Sequence, residues 1–147
     1  MAWSASGLFV QTHVGQWGPA QVGINLAAAD LKLALWGSAI TPNYDSHTAY
    51  GTAPWNSGEC SGAGYTAGGP TLAGTTLTPG GGGMAWDADN VQLNNTTITS
   101  EGGVIYAPNK GNRLIAAIWW GGVKETQDGT FLITWHSSGI AVLDLTP

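Results

Sequence analysis

Charge is what this chain has least of. Four Lys and Arg and nine Asp and Glu make up 9% of its 147 residues, against roughly 25% in ordinary soluble domains. The cations Lys32, Lys110, Arg113 and Lys124 are scattered and cannot neutralise a run of phosphates. That disfavours direct nucleic-acid binding and attachment to anionic membranes. Cys60 stands alone, which excludes an internal disulfide framework and a cysteine-built zinc site within one chain. It reads as an inert small residue, because no cation near it in sequence would lower its pKa. No apolar run approaches the roughly 20 residues of a membrane-spanning helix. The longest, "LIAAIWW", is strand-sized. The opening "MAWSASGLFV" lacks a basic leader followed by an apolar core, so the expectation is synthesis and assembly in a cytoplasm.

Chemical motifs are equally scarce. His13, His47 and His136 are far apart, with no metal-ligand spacing among them. Asp87, Asp89 and Asn90 resemble the start of a calcium loop, but Gln92 and Ile98 occupy the positions that need glycine and glutamate. The segment reads instead as a turn whose side chains bond backbone amides. No nucleophile elbow, phosphate loop or dinucleotide fingerprint is present. The expectation is a protein without catalytic residues, metal or cofactor.

What the chain does have is 23 glycines and eight tryptophans. Disordered chains are poor in aromatics and rich in charge, so an ordered β protein with a neutral surface is expected. Period-two runs of β-branched, aromatic and apolar residues fall at 31–36, 104–107, 114–120, 130–136 and 140–145. Short strands between turn signals predict an all-β fold, an antiparallel β-sandwich or barrel with long Gly/Thr/Ser-rich loops, as one domain over 1–147. In residues 31–36, Leu31, Leu33 and Leu35 share the expected buried face. "TLAGTTLTP" reads as a further strand, "GGGG" at 80–83 as a flexible joint, and "VKETQDG" as a connection. Pro108 to Asn112 reads as a hairpin loop. Residues 37–70 form a long loop region, held in order by Tyr44, Tyr50, Trp55 and Tyr65. "AQVGINLAAADLK" allows at most a short helical turn. The last nineteen residues, "GTFLITWHSSGIAVLDLTP", read as a hairpin around Ser137-Ser138-Gly139. Its second run is apolar on both faces apart from Asp144, so cover is expected on each side unless a partner supplies it.

Eight tryptophans exceed what one small core absorbs. Most are assigned to the core of a two-sheet protein, but adjacent Trp119 and Trp120 on a strand must point to opposite faces. Residues 1–17 read as an aromatic arm ahead of the first strong strand. The candidate partner-binding residues are therefore Trp3, Phe9 and Trp17 on that arm and Trp119 and Trp120 on the sheet. Interface centres are rich in aromatics and poor in Lys and Glu. A carbohydrate-binding platform would also expose tryptophans.

The segments "MAWSASGLFV", "ITPNYDSHTAYGTAPWNSGECSGAGYTAGG", "MAWDADNV", "GGVIY" and "GTFLITWHSSGIAVLDLTP" together resemble a family of short virion proteins of tailed bacteriophages. The resemblance rests on turn and strand patterns and implies a structural component of the particle. Size and composition then favour a capsid decoration protein on the virion exterior, bound to the major capsid protein and to sister subunits, with a trimer as the expected oligomer. A minor tail or head-tail connector component and a carbohydrate-binding module are the alternatives.

Overall fold

The computed structural model describes residues 3–146. Its spine is a long antiparallel ribbon of β5 (Val91–Ala107) and β6 (Arg113–Ile133), closed by a 3-10 turn at Pro108–Lys110. Gly111 and Asn112 follow that turn with φ of 65° and 56°. Leftward, β2 (Lys32–Trp36) pairs with β5, and the two-residue β1 (Gly7–Leu8) pairs with β6. The order of this four-stranded sheet is β1-β6-β5-β2. A second, three-stranded sheet has the order β3-β4-β7, built from Thr76–Gly80, Gly83–Asp87 and Ala141–Asp144. Both sheets are antiparallel and neither closes into a barrel, so the architecture is a β-sandwich with one short helix, α1 (Val10–Trp17).

The ribbon bends sharply. Register shifts interrupt β5 and β6 between Leu93 and Thr96, Thr96 and Ile98, and Ser100 and Gly102. As a result the Trp120 and Phe131 rings, both on β6, meet at 6.2 Å, where a straight strand would separate them by roughly 35 Å. Bulges of this kind let one strand turn a corner around the core.

Two apolar clusters lie on opposite faces of the four-stranded sheet. Leu31, Leu33 and Leu35 enter one with Ile105, Ile115 and Trp86. Ala34 and Trp36 enter the other with Trp3, Phe9 and Trp55. Residues 31–36 are thus buried on both faces, not one, because part of the 37–70 region folds over the second face. That region is tied down by its polar groups. The Tyr44 hydroxyl donates to Ala5 O at 2.6 Å, and Trp55 Nε1 donates to His47 Nδ1 at 3.1 Å. Its backbone also closes the outer edge of β2, where Cys60 N donates to Leu35 O and Leu33 N to Pro70 O.

Four local expectations are revised. Glycines 80–83 form a tight hairpin turn between β3 and β4, with Gly80 paired to Gly83 and positive φ at Gly81 and Gly82. Two successive positive φ values suit the twist of the flanking strands. "VKETQDG" is part of β6, not a connection. The chain end is not a hairpin: His136 and Gly139 make one isolated bridge, and β7 crosses to pair with β4. Residues 3–17 are integrated into the fold, because Phe9 N donates to Ile115 O, Val10 N donates to Tyr44 O, and Trp3 Nε1 donates to Gly37 O.

Candidate interaction surface

Asp87 and Asn90, marked for chemistry by the sequence, are committed to structure. Asp87 Oδ1 accepts from Ala88 N at 2.9 Å, and Asn90 Oδ1 accepts from Trp135 N at 3.2 Å. Glu59 accepts three hydrogen bonds. Its Oε1 accepts from the Tyr65 hydroxyl and from Gly68 N, each at 2.6 Å, and its Oε2 accepts from the Tyr50 hydroxyl at 2.8 Å. Burial and then the Glu59 partnership push the Tyr50 and Tyr65 hydroxyls well above the ordinary tyrosine range. Tyr106, stacked on Tyr50 with centroids 4.4 Å apart, is pushed up to about 12, first by burial and then by the Glu59 charge. A polar cleft of about 420 Å³ lies beside this cluster, between Glu59, Cys60, Thr97 and Glu125. The Cys60 thiol donates to Thr99 O, and burial raises its pKa to about 11, so it is held as an unreactive thiol. Among the described residues no three His, Cys, Asp or Glu side chains gather as a metal site.

Helix α1 presents an exposed apolar face. It has no side-chain cap, and no acidic residue in its first turn or basic residue in its last. An isolated helix of this length is marginal, so packing holds it. Thr12 and Gly15 face inward, and the Thr12 hydroxyl donates to Leu114 O. A Cβ on Gly15 would come within 2.7 Å of the Arg113 guanidinium. On the outer face Val10, Val14 and Trp17 are 43%, 57% and 68% exposed. Their i, i+4, i+7 spacing makes a continuous ridge. Hollows flank it. One, of about 180 Å³, separates the helix from the second sheet at Leu77, Met84 and Leu143. The other, of about 460 Å³, runs beside Leu8, Val10 and Val14. Trp17 borders both.

The five residues singled out from sequence separate into three groups. Trp3 and Phe9 are fully buried in the chain's own core and offer no surface to a partner. Trp17 is exposed at the end of the ridge. Trp119 and Trp120 are half-buried on opposite faces, Trp119 against the Trp36 cluster and Trp120 against Phe131. Trp120 Nε1 also donates to Ser100 Oγ at 2.9 Å. Sequence reading missed Val10 and Val14, although the spacing of Val10, Val14 and Trp17 is visible in "VQTHVGQW".

Neither a family model, nor a curated protein, nor a solved structure matches this chain. No helix among the described residues is long and apolar enough to cross a membrane.

Proposed function

We propose that this chain is a structural protein of a tailed-phage particle that decorates and stabilises the capsid shell. It binds the major capsid protein and sister subunits and carries no catalytic step. The observation that supports this reading best is the uncharged ridge of Val10, Val14 and Trp17, exposed on a helix whose other face is built into the core. Exposed apolar patches mark interaction sites, and the segment resemblance to virion proteins names the setting. A ligand that binds only the assembled shell stabilises it by mass action, increasingly as sites fill. Little charge on the chain limits repulsion between crowded copies.

The test mixes purified protein with undecorated shells and measures co-sedimentation and the temperature at which the shells release DNA. The wild type binds and raises that temperature, while Val14→Asp and Trp17→Ala fold normally and do not bind. Equal binding by both variants would remove the ridge from the reading, and shells indifferent to the wild type would overturn shell decoration itself. Copy number separates shell from tail: hundreds per particle belong to the shell, a handful to a tail or connector.

A carbohydrate-binding module remains the competing reading on one observation. Trp120, Phe131 and Trp135 line a cleft of about 440 Å³ rimmed by Thr126, Thr130 and Thr134, the mix of apolar and hydroxyl groups that sugars stack and bond on. Glycan retention by the wild type and its loss in Trp120→Ala would favour that reading.

A further inference from the structure

The second sheet ends in an open edge. Strand β7 pairs with β4 on one side only. The register sets Leu143 opposite Met84 and Ala141 opposite Trp86, and Leu145 N donates to Gly82 O at 3.1 Å. In an antiparallel ladder, residues that bond one neighbour alternate with residues that face away. Ala141, Leu143 and Leu145 therefore bond β4, and Val142 and Asp144 turn their N–H and C=O groups outward. Proline checks this phase independently. The same alternation carried across β4 puts Pro79 at an outward position of β3, where its missing N–H breaks no ladder bond.

The other terminal strands of the two sheets are protected. β1 has two residues, β2 is covered by segments 59–60 and 70–72, and β3 loses an outward donor at Pro79. β7 carries neither Pro nor Lys, and Asp144 is its one charged residue. Val142 is 57% exposed and Asp144 is exposed beside it, so the cover expected for both faces of this run is missing on the face that carries Val142.

We propose that β7 pairs antiparallel with β7 of a second copy of this chain, about a two-fold axis at Leu143, joining two three-stranded sheets into one continuous sheet. In this register Val142 N–H donates to Asp144 O of the second copy, and Asp144 N–H donates to its Val142 O. The two-fold repeats both bonds, so every outward group on these two residues is satisfied on each edge. Val142 lies beside Asp144 of the second copy on one face, and the two Leu143 side chains meet on the other. The two Asp144 carboxylates are diagonal to each other, not opposite. This self-complementarity is the reason to name a second copy and not a strand of another protein. A seam this short is weak in dilute solution, and it gains from the effective concentration of neighbours on a surface. In that respect alone it rests on the shell reading.

The test uses the isolated full chain. Sedimentation velocity over a concentration series shows a reversible dimer. Val142→Pro removes an outward N–H that the ladder with β4 does not use, and it weakens the dimer by about tenfold or more, from two lost bonds. Val142→Asp, which sets carboxylates opposite each other, weakens it too, while Val142→Lys, opposite Asp144, does not. Under mild oxidation Leu143→Cys cross-links faster than Val142→Cys, although position 142 is the more exposed. If Val142→Pro loses its near-ultraviolet tryptophan signal through misfolding, the charge pair and the cysteine pair decide. A chain that stays monomeric at every soluble concentration, or Val142→Cys cross-linking faster, overturns the proposal. Neither result touches shell binding, which is read on particles with ridge variants.

Discussion

The Trp3 ring lies directly over Gly102, so that a Cβ on Gly102 would come within 2.7 Å of the indole. Trp36 and Trp119 flank the same glycine on the neighbouring strands. The missing side chain is the space that Trp3 fills, and Trp3 in turn meets Trp55 edge-on at 5.9 Å. Gly102→Ala is expected to destabilise the fold by about 1–3 kcal/mol through overpacking, because the Ile118 carbonyl also lies 2.7 Å from the added carbon. Urea unfolding followed by tryptophan fluorescence measures the change. An unchanged midpoint would mean that Trp3 does not occupy this position.

This relationship also shows where sequence reading stops. Period-two patterns were sufficient for the strands at 31–36, 104–107 and 114–120, where apolar side chains meet a core. They did not reveal that 91–107 and 113–133 pair along nearly their whole length, because rungs such as Ser100 with Lys124 and Thr99 with Glu125 carry no hydrophobic signal. Backbone pairing and threonine hydroxyls, such as those of Thr96 and Thr126 at 2.8 Å, continue the ribbon there. The destination of β7 was hidden for a similar reason. Ser137-Ser138-Gly139 is good turn chemistry in either topology, and the choice of β4 as partner is made by distant contacts. Helix α1 lacks every local start signal and is stabilised by Leu114, Arg113 and Tyr44, which lie far away in sequence. Of the candidate residues, Trp17 was legible as a surface residue, whereas the burial of Trp3 and Phe9 depends on a loop that folds back over them.

Glu59 organises the 37–70 region. Glu59→Ala strips the acceptor from two tyrosine hydroxyls and one backbone N–H and is expected to cost about 2 kcal/mol or more. Glu59→Gln keeps the shape and most of the stability. The tyrosines add a pH signature. Their folded pKa values lie above the ordinary 10, so the folded state holds these protons more tightly than the unfolded chain. The resulting stability is complete below pH 10 and is lost as pH rises beyond it. Absorbance of tyrosinate at high pH should therefore appear together with unfolding, and tyrosines that titrate freely in the folded protein would contradict the cluster.

His47 works at the other end of the scale. Its Nδ1 accepts from Asn43 N and from Trp55 Nε1, each at 3.1 Å, and burial lowers its pKa below 6.5. The unfolded chain consequently takes up this proton first. Stability from His47 is present above pH 6.5 and falls as pH drops through the lower folded value. Thermal melts between pH 7 and pH 4 should show a slope that His47→Gln reduces. An unaltered slope would assign the acid sensitivity to other groups.

Glu101 is 4% exposed, and its Oε2 has no hydrogen-bond partner. It lies next to Gly102 in β5, and the Nε1 groups of Trp36 and Trp119, which flank that glycine, are likewise buried without partners. Two unused donors and one unused acceptor thus share a short stretch of sheet without meeting. An unsatisfied buried carboxylate oxygen is among the most expensive groups a fold carries. Glu101→Gln keeps the volume and removes the charge, so it is expected to raise stability by about 1 kcal/mol or more. Trp36→Phe forfeits indole packing but no hydrogen bond, and its loss should match burial area alone. Chemical denaturation of both variants at neutral pH reads the difference. A Glu101→Gln variant less stable than the wild type would show that the carboxylate is bound by a group on the protein in solution, and a Trp36→Phe loss well beyond its area would point to the indole N–H as that group.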